Sequence, residues 1–105
     1  MVLGLSLNAN SLTIINYTNC SFEISTQLPL NQILPNSTYF ESNPDGIYAV
    51  KLIAEGTTEQ INFEIDSIYV NLNGVATPVC NNNNSILYEW VVDTNTDDII
   101  LIIYP

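Results

Sequence analysis

Apolar and polar side chains alternate along most of this chain with a period of two, the spacing of a strand with one dry face and one wet face. Leu3, Leu5 and Leu7 alternate with Gly4 and Ser6, which predicts a short opening strand followed by a polar turn at Asn8–Ser11. Leu12–Tyr17 is the next candidate strand. The clearest alternation then sets Cys20, Phe22, Ile24, Thr26 and Leu28 on one face and Ser21, Glu23, Ser25 and Gln27 on the other. Pro29 and Pro35 bracket an irregular connection with room for one helical turn.

Asn43-Pro44-Asp45-Gly46 carries the residues of a type I turn closed by a left-handed glycine, so a hairpin is expected there. It would set Phe40 against Val50 and Thr38 against Leu52. A second hairpin follows, with Gly56-Thr57 as a two-residue loop. In that register Leu52 faces Ile61, Val50 faces Phe63 and Tyr48 faces Ile65. A slip of one residue would move every apolar side chain to the wrong face, so the parity is fixed, although a slip of two would preserve it. Ile68–Leu72 and an Asn73-Gly74 turn continue the meander, with Val75–Cys80 expected to return as a strand.

The end of the chain departs from the alternation. Ile86, Tyr88, Trp90 and Val92 share one face, but Ile99–Tyr104 is apolar on both. Pairing this last strand with Leu87–Val92 joins Trp90 to Leu101 and Val91 to Ile100. A solvated sheet surface does not need Val91, Ile100, Ile102 and Tyr104 together. Either the strand is central and covered on both sides, or these residues meet another subunit. Seven or eight short strands, with no helical periodicity, predict one all-β domain over residues 1–105. The expected fold is an antiparallel β-sandwich of immunoglobulin-like type.

Composition then narrows the function. Hydrophobic residues make up 47% of the 105 residues and charged residues 11%, the balance of a folded domain. The net charge of −10 comes from eleven acids against one base, Lys51, so nucleic-acid backbones and anionic membranes are not expected partners. No apolar run reaches the ~20 residues of a membrane-spanning helix, and the first residues lack the basic start of a signal peptide. Cys20 and Cys80 could form one disulfide, but without a secretion signal two buried free thiols are the plainer expectation. Sequons begin at Asn16, Asn19, Asn36 and Asn83, in a chain rich enough in Asn, Ser and Thr to produce them by chance.

The chain has no His and no Arg. Catalytic triads, His-based metal sites and Walker lysines are therefore out of reach, and no cofactor is expected. Carboxylate pairs remain, Glu64 with Asp66 and Asp97 with Asp98, but such pairs on a strand face or in a turn are ordinarily just solvated. In Asp93-Thr94-Asn95-Thr96-Asp97-Asp98, the residues Asp93, Asn95, Asp97 and Asp98 resemble the opening of a calcium loop. The glycine and the closing glutamate of an EF-hand are missing, and the alternative is a polar hairpin turn with Asp93 opposite Asp98. An antibody-type domain would carry its tryptophan between the two cysteines, whereas Trp90 follows both.

The segment Pro44-Asp45-Gly46-Ile47-Tyr48-Ala49-Val50-Lys51-Leu52, in a short, Asn-rich chain of strands, resembles small immunoglobulin-like modules in virion proteins of tailed bacteriophages. The resemblance implies a non-enzymatic accessory or capsid decoration subunit of a virion, assembled in the host cytoplasm. It would bind other capsid subunits, or itself, through the apolar C-terminal strand or a sheet edge. Two other classes compete. One is an acidic inhibitor mimicking nucleic acid, which would need its acids crowded on one surface. The other is a carbohydrate-binding sandwich stacking sugars on Tyr39, Tyr48, Tyr69, Tyr88 or Trp90, of which Tyr48, Tyr88 and Trp90 are expected in the core by their spacing.

Overall fold

The computed structural model describes residues 9–105, so the alternating Leu3–Leu7 segment lies outside the described residues. The fold is an all-β sandwich of two packed sheets. Its strands are β1 (Ala9–Asn16), β2 (Phe22–Ser25), β3 (Asn31–Ile33), β4 (Thr38–Ile47), β5 (Ala49–Ala54), β6 (Gln60–Glu64), β7 (Tyr69–Asn73), β8 (Leu87–Asp93) and β9 (Asp98–Tyr104). One sheet has the order β4-β1-β9-β8-β7 and the other β3-β2-β5-β6. All neighbours are antiparallel except β1 and β9, which run parallel from Ser11 beside Asp98 to Asn16 beside Ile103.

Alternation places the core. Leu12 and Ile14 of β1, Phe22 and Ile24 of β2, Val50 and Leu52 of β5, Ile61 and Phe63 of β6, and Ile99, Leu101 and Ile103 of β9 all point between the sheets and are buried. Aromatic rings tie the layers together. Phe63 of β6 stacks on Trp90 of β8 at 5.0 Å between centroids, and Phe22 meets Tyr88 edge-on at 6.3 Å. The indole N–H of Trp90 donates to the Ser67 carbonyl, so its one polar atom is satisfied.

The two expected hairpins fare differently. β5 and β6 pair as the alternation requires, Val50 with Phe63 and Leu52 with Ile61, and the Ile65 N–H donates to the Tyr48 carbonyl. The tight turn sits one residue earlier than expected, Thr57 N–H donating to the Ala54 carbonyl with Gly56 at φ +73°. The Asn43–Gly46 hairpin does not form. β4 continues through these residues along β1, and between the pairs Ser11–Ser42 and Ala9–Ile47 β1 advances two positions while β4 advances five. The turn residues serve as a bulge: Asn43 Oδ1 accepts from the Asp45 N–H, Gly46 takes φ 96°, and the chain crosses at Tyr48 into β5 of the other sheet. Phe40 therefore does not face Val50. It pairs with Thr13 and points outward.

Other expectations also shift. Asn10 and Ser11 belong to β1 rather than to a turn, and the connection between Pro29 and Pro35 contains the edge strand β3. Val75–Cys80 is not a strand. It leads into a single 3₁₀ turn, Val79–Asn81, after which Asn82 and Asn83 adopt left-handed φ angles of 55° and 60° that asparagine tolerates. Asn81 is buried and donates to the carbonyls of Asn84 and Ser85, so the asparagine run is a shaped loop. Cys20 and Cys80 are not free thiols but a disulfide, with Cα atoms 5.1 Å apart. Spacing along the sequence could not reveal this, because the chain between them folds back to bring the ends together.

Candidate functional site

The two outward sheet faces differ in chemistry. On the four-stranded sheet, Glu23 pairs with Gln32, Lys51 lies between Ser25 and Asn62, and Glu64 stands opposite Ala49. This face is polar, interrupted chiefly by half-buried Ile53. On the five-stranded sheet, cross-strand partners line up as rows. One row runs Phe40, Thr13, Ile100, Val91, Tyr69, and the next runs Thr38, Ile15, Ile102, Glu89, Asn71. Beyond them Tyr104 lies opposite Leu87, and the Tyr17 ring stacks on Tyr104 at 6.1 Å.

Large apolar side chains stand in solvent here: Phe40 is 63% exposed, Tyr69 54% and Ile100 42%. Of the four interface residues expected from the sequence, Ile100 is exposed, and Val91, Ile102 and Tyr104 are half-buried by their neighbours. The structure brings all four onto one face. β9 is central in its sheet, and its inner face is fully covered while its outer face is not. Sequence reasoning missed Phe40, Ile15, Tyr17, Tyr69 and Leu87 as members of the same surface. The alternation within β1 and β4 carried the signal for Ile15 and Phe40, but pairing Phe40 with Val50 turned it inward.

One carboxylate lies within these rows. Glu89 accepts hydrogen bonds from the Tyr69 hydroxyl at 3.0 Å and the Tyr104 hydroxyl at 3.1 Å, so it holds the two exposed rings in place. The hydrogen bond to Glu89 is the main cause that raises the Tyr104 phenol above its ordinary value. Tyr104 is thus a protonated donor at neutral pH.

The polar turn at one end of this sheet forms as expected, with Asp93 opposite Asp98. Asp93 Oδ1 accepts from the Asn95 N–H, Asp98 Oδ1 accepts from the Ser11 hydroxyl, and Asp97 adopts φ 58° with its N–H donating to the Asp93 carbonyl. Among the described residues no group of three or more His, Cys, Asp or Glu is placed to hold a metal ion, so Asp93, Asp97 and Asp98 are not gathered around one point. Glu64 and Asp66 both remain exposed.

Open grooves carry little chemistry. One of about 560 Å³ lies between Gly56–Glu59 and Val75–Pro78, and its single carboxylate, Glu59, accepts from the N–H groups of Val75 and Ala76. Another, about 390 Å³, contains Tyr48, Lys51 and Glu64. Tyr48 is 51% exposed there rather than in the core, while Tyr88 and Trp90 are buried as expected. Burial, with the Glu59 charge second, also holds the Tyr88 phenol well above its ordinary value.

No protein-family model matches the chain, and no curated protein or solved structure is significantly similar to it.

Proposed function

We propose that this chain is a non-enzymatic structural module that joins protein subunits through the outer face of its five-stranded sheet. The observation that carries the reading is the contrast between two faces of one sandwich, one polar and one presenting Phe40, Tyr69 and Ile100 to water. A soluble sheet rarely leaves such a row uncovered without a partner for it. A sequence without His or Arg, whose Glu59 is committed to backbone N–H groups, is consistent with a role based on shape. Within that role, a virion accessory or capsid decoration subunit is the setting we favour. Particle exteriors are among the oxidising surroundings where a disulfide such as Cys20–Cys80 persists.

The test is fractionation of the native protein from its source. It should sediment within a larger protein assembly, and Ile100→Glu should release it at the mass of a free chain. Migration of both forms as free 11.7 kDa chains would end the proposal.

A further inference from the structure

We propose that the free edge of β6 accepts the segment Leu3-Gly4-Leu5-Ser6-Leu7 of a second copy as an added strand. This contact is separate from the sheet face proposed above and stands or falls without it.

The sandwich is one strand short beside β6. Its layers hold five and four strands, and β7 and β6 end the two orders. Phe63 of β6 stacks on Trp90 and tilts against Tyr88 at 6.2 Å, which sets β6 across from β8. Among the described residues no strand of that layer then stands across from β7. Inward side chains register the gap. Tyr88 and Trp90 of β8 are 2% and 0% exposed, whereas Val70 and Leu72 of β7 pack against the core but stay half-buried. A strand laid beside β6 would cover them.

The backbone there is ready to pair. The Ile65 N–H donates to the Tyr48 carbonyl, which makes Tyr48–Ile65, Val50–Phe63 and Leu52–Ile61 the hydrogen-bonded pairs of the β5–β6 ladder. The N–H and C=O groups of Gln60 and Asn62 therefore point away from β5, and among the described residues they have no partner. Other edges are guarded. β3 is three residues long with Pro29 and Pro35 close by, and β4 carries Pro44 and the bulge. β6 has no proline, lysine or bulge. β7 is equally open, but a strand beyond it would have no layer to pack against.

Pattern and reach select the occupant. The segment lies outside the described residues, and its sequence fits the gap. In antiparallel register along β6, Gly4 and Ser6 fall in the outward row of Gln60 and Asn62. Leu3, Leu5 and Leu7 fall in the inward row of Ile61 and Phe63, towards Val70 and Leu72. The segment is uncharged, so it brings no acid of the −10 chain into the contact. Its own chain cannot supply it. β1 lies three strand spacings of ~4.8 Å from β7 and one layer of ~10 Å from the sheet of β6, roughly 17 Å in all. With residues 3–7 paired, Asn8 alone joins Leu7 to the start of β1 at Ala9, two Cα steps or about 7.6 Å. The strand therefore comes from a neighbour, by β-strand addition.

Sedimentation of the purified full chain at micromolar concentration should show self-association, which Leu5→Asp and Asn62→Pro should each weaken at least about tenfold. Asn62→Pro puts a ring where the free N–H stood and spares the β5 ladder, and circular dichroism establishes that both variants fold. Mixed together, the two should re-form a one-to-one pair, because one keeps the edge and the other keeps the segment. A synthetic peptide of residues 1–8 added to the Leu5→Asp chain should shift the amide resonances of Asn62, Val70 and Leu72. A monomeric full chain, association indifferent to either substitution, a mixture that stays monomeric, or a peptide that leaves those resonances in place overturns the proposal. Ile100→Glu separates the two contacts. If it dissociates the chain while Asn62→Pro does not, the added strand is wrong and the sheet face stands; the reverse result keeps the strand and removes the face.

Discussion

Asn16 shows how much one polar side chain can hold. It is buried at the end of β1, its Nδ2 donates to the carbonyls of Cys20 and Leu34, and its Oδ1 accepts from the N–H and hydroxyl of Thr18. Asn16→Ala would strand several of these groups away from water, and a loss of about 3 kcal/mol in urea unfolding is expected. The same burial keeps the sequon beginning at Asn16 from being a glycan acceptor in the folded chain. Glu41 is a second such residue, accepting from the Thr26 and Tyr39 hydroxyls and so linking the sheets near the crossing of β4. Burial first, and then the Glu41 hydrogen bond, push the Tyr39 phenol from 10.0 up to about 12. A raised folded-state value favours the protonated folded form, so its stabilising contribution is complete below pH 10 and disappears as pH rises towards about 12. Urea midpoints should fall across that window, and Tyr39→Phe should flatten the part due to this residue. Neither Asn16 nor Glu41 was legible in the sequence, because a polar residue at an inward strand position declares itself only once its partners are in place.

At the scale of strands, legibility followed the length of the loops. The β5–β6 and β8–β9 pairings have the partners expected from the sequence, since alternation fixes which residues face inward and the short loops select one of the registers, two residues apart, that alternation alone leaves open. The parallel contact of β1 with β9 could not be read, because no loop joins the two strands and nothing local encodes the pairing. Asn43–Gly46 misled for a different reason. Its Asx turn and left-handed glycine are real, but the same kink that reverses a chain can also bend a strand out of one sheet and into another. Gly46 is the residue that makes the bend affordable. Gly46→Ala at φ 96° is expected to cost about 1–2 kcal/mol, read as a lower urea midpoint, whereas Pro44→Ala on the exposed side should change it little.

The whole molecule is closed by contacts remote in sequence. The disulfide clamps the entry to β2 against the 3₁₀ turn over a separation of 60 residues. The chain-entropy cost it removes from the unfolded state is about 4 kcal/mol on the loop-closure model. Reduction, or Cys20→Ser with Cys80→Ser, should lower the thermal midpoint markedly, as calorimetry with and without reductant would show. The sandwich class was legible because periodicity reports on layers, and the doubly apolar end of the chain is the central strand of its sheet, with Ile100 exposed on its outer face. The parallel rungs from Ser11–Asp98 to Asn16–Ile103 have a mechanical consequence. A tensile load drawing the leading end of β1 one way and the trailing end of β9 the other runs along both strands in opposite senses. The rungs must then slide and break together in shear instead of unzipping singly, so the domain is built to resist being stretched.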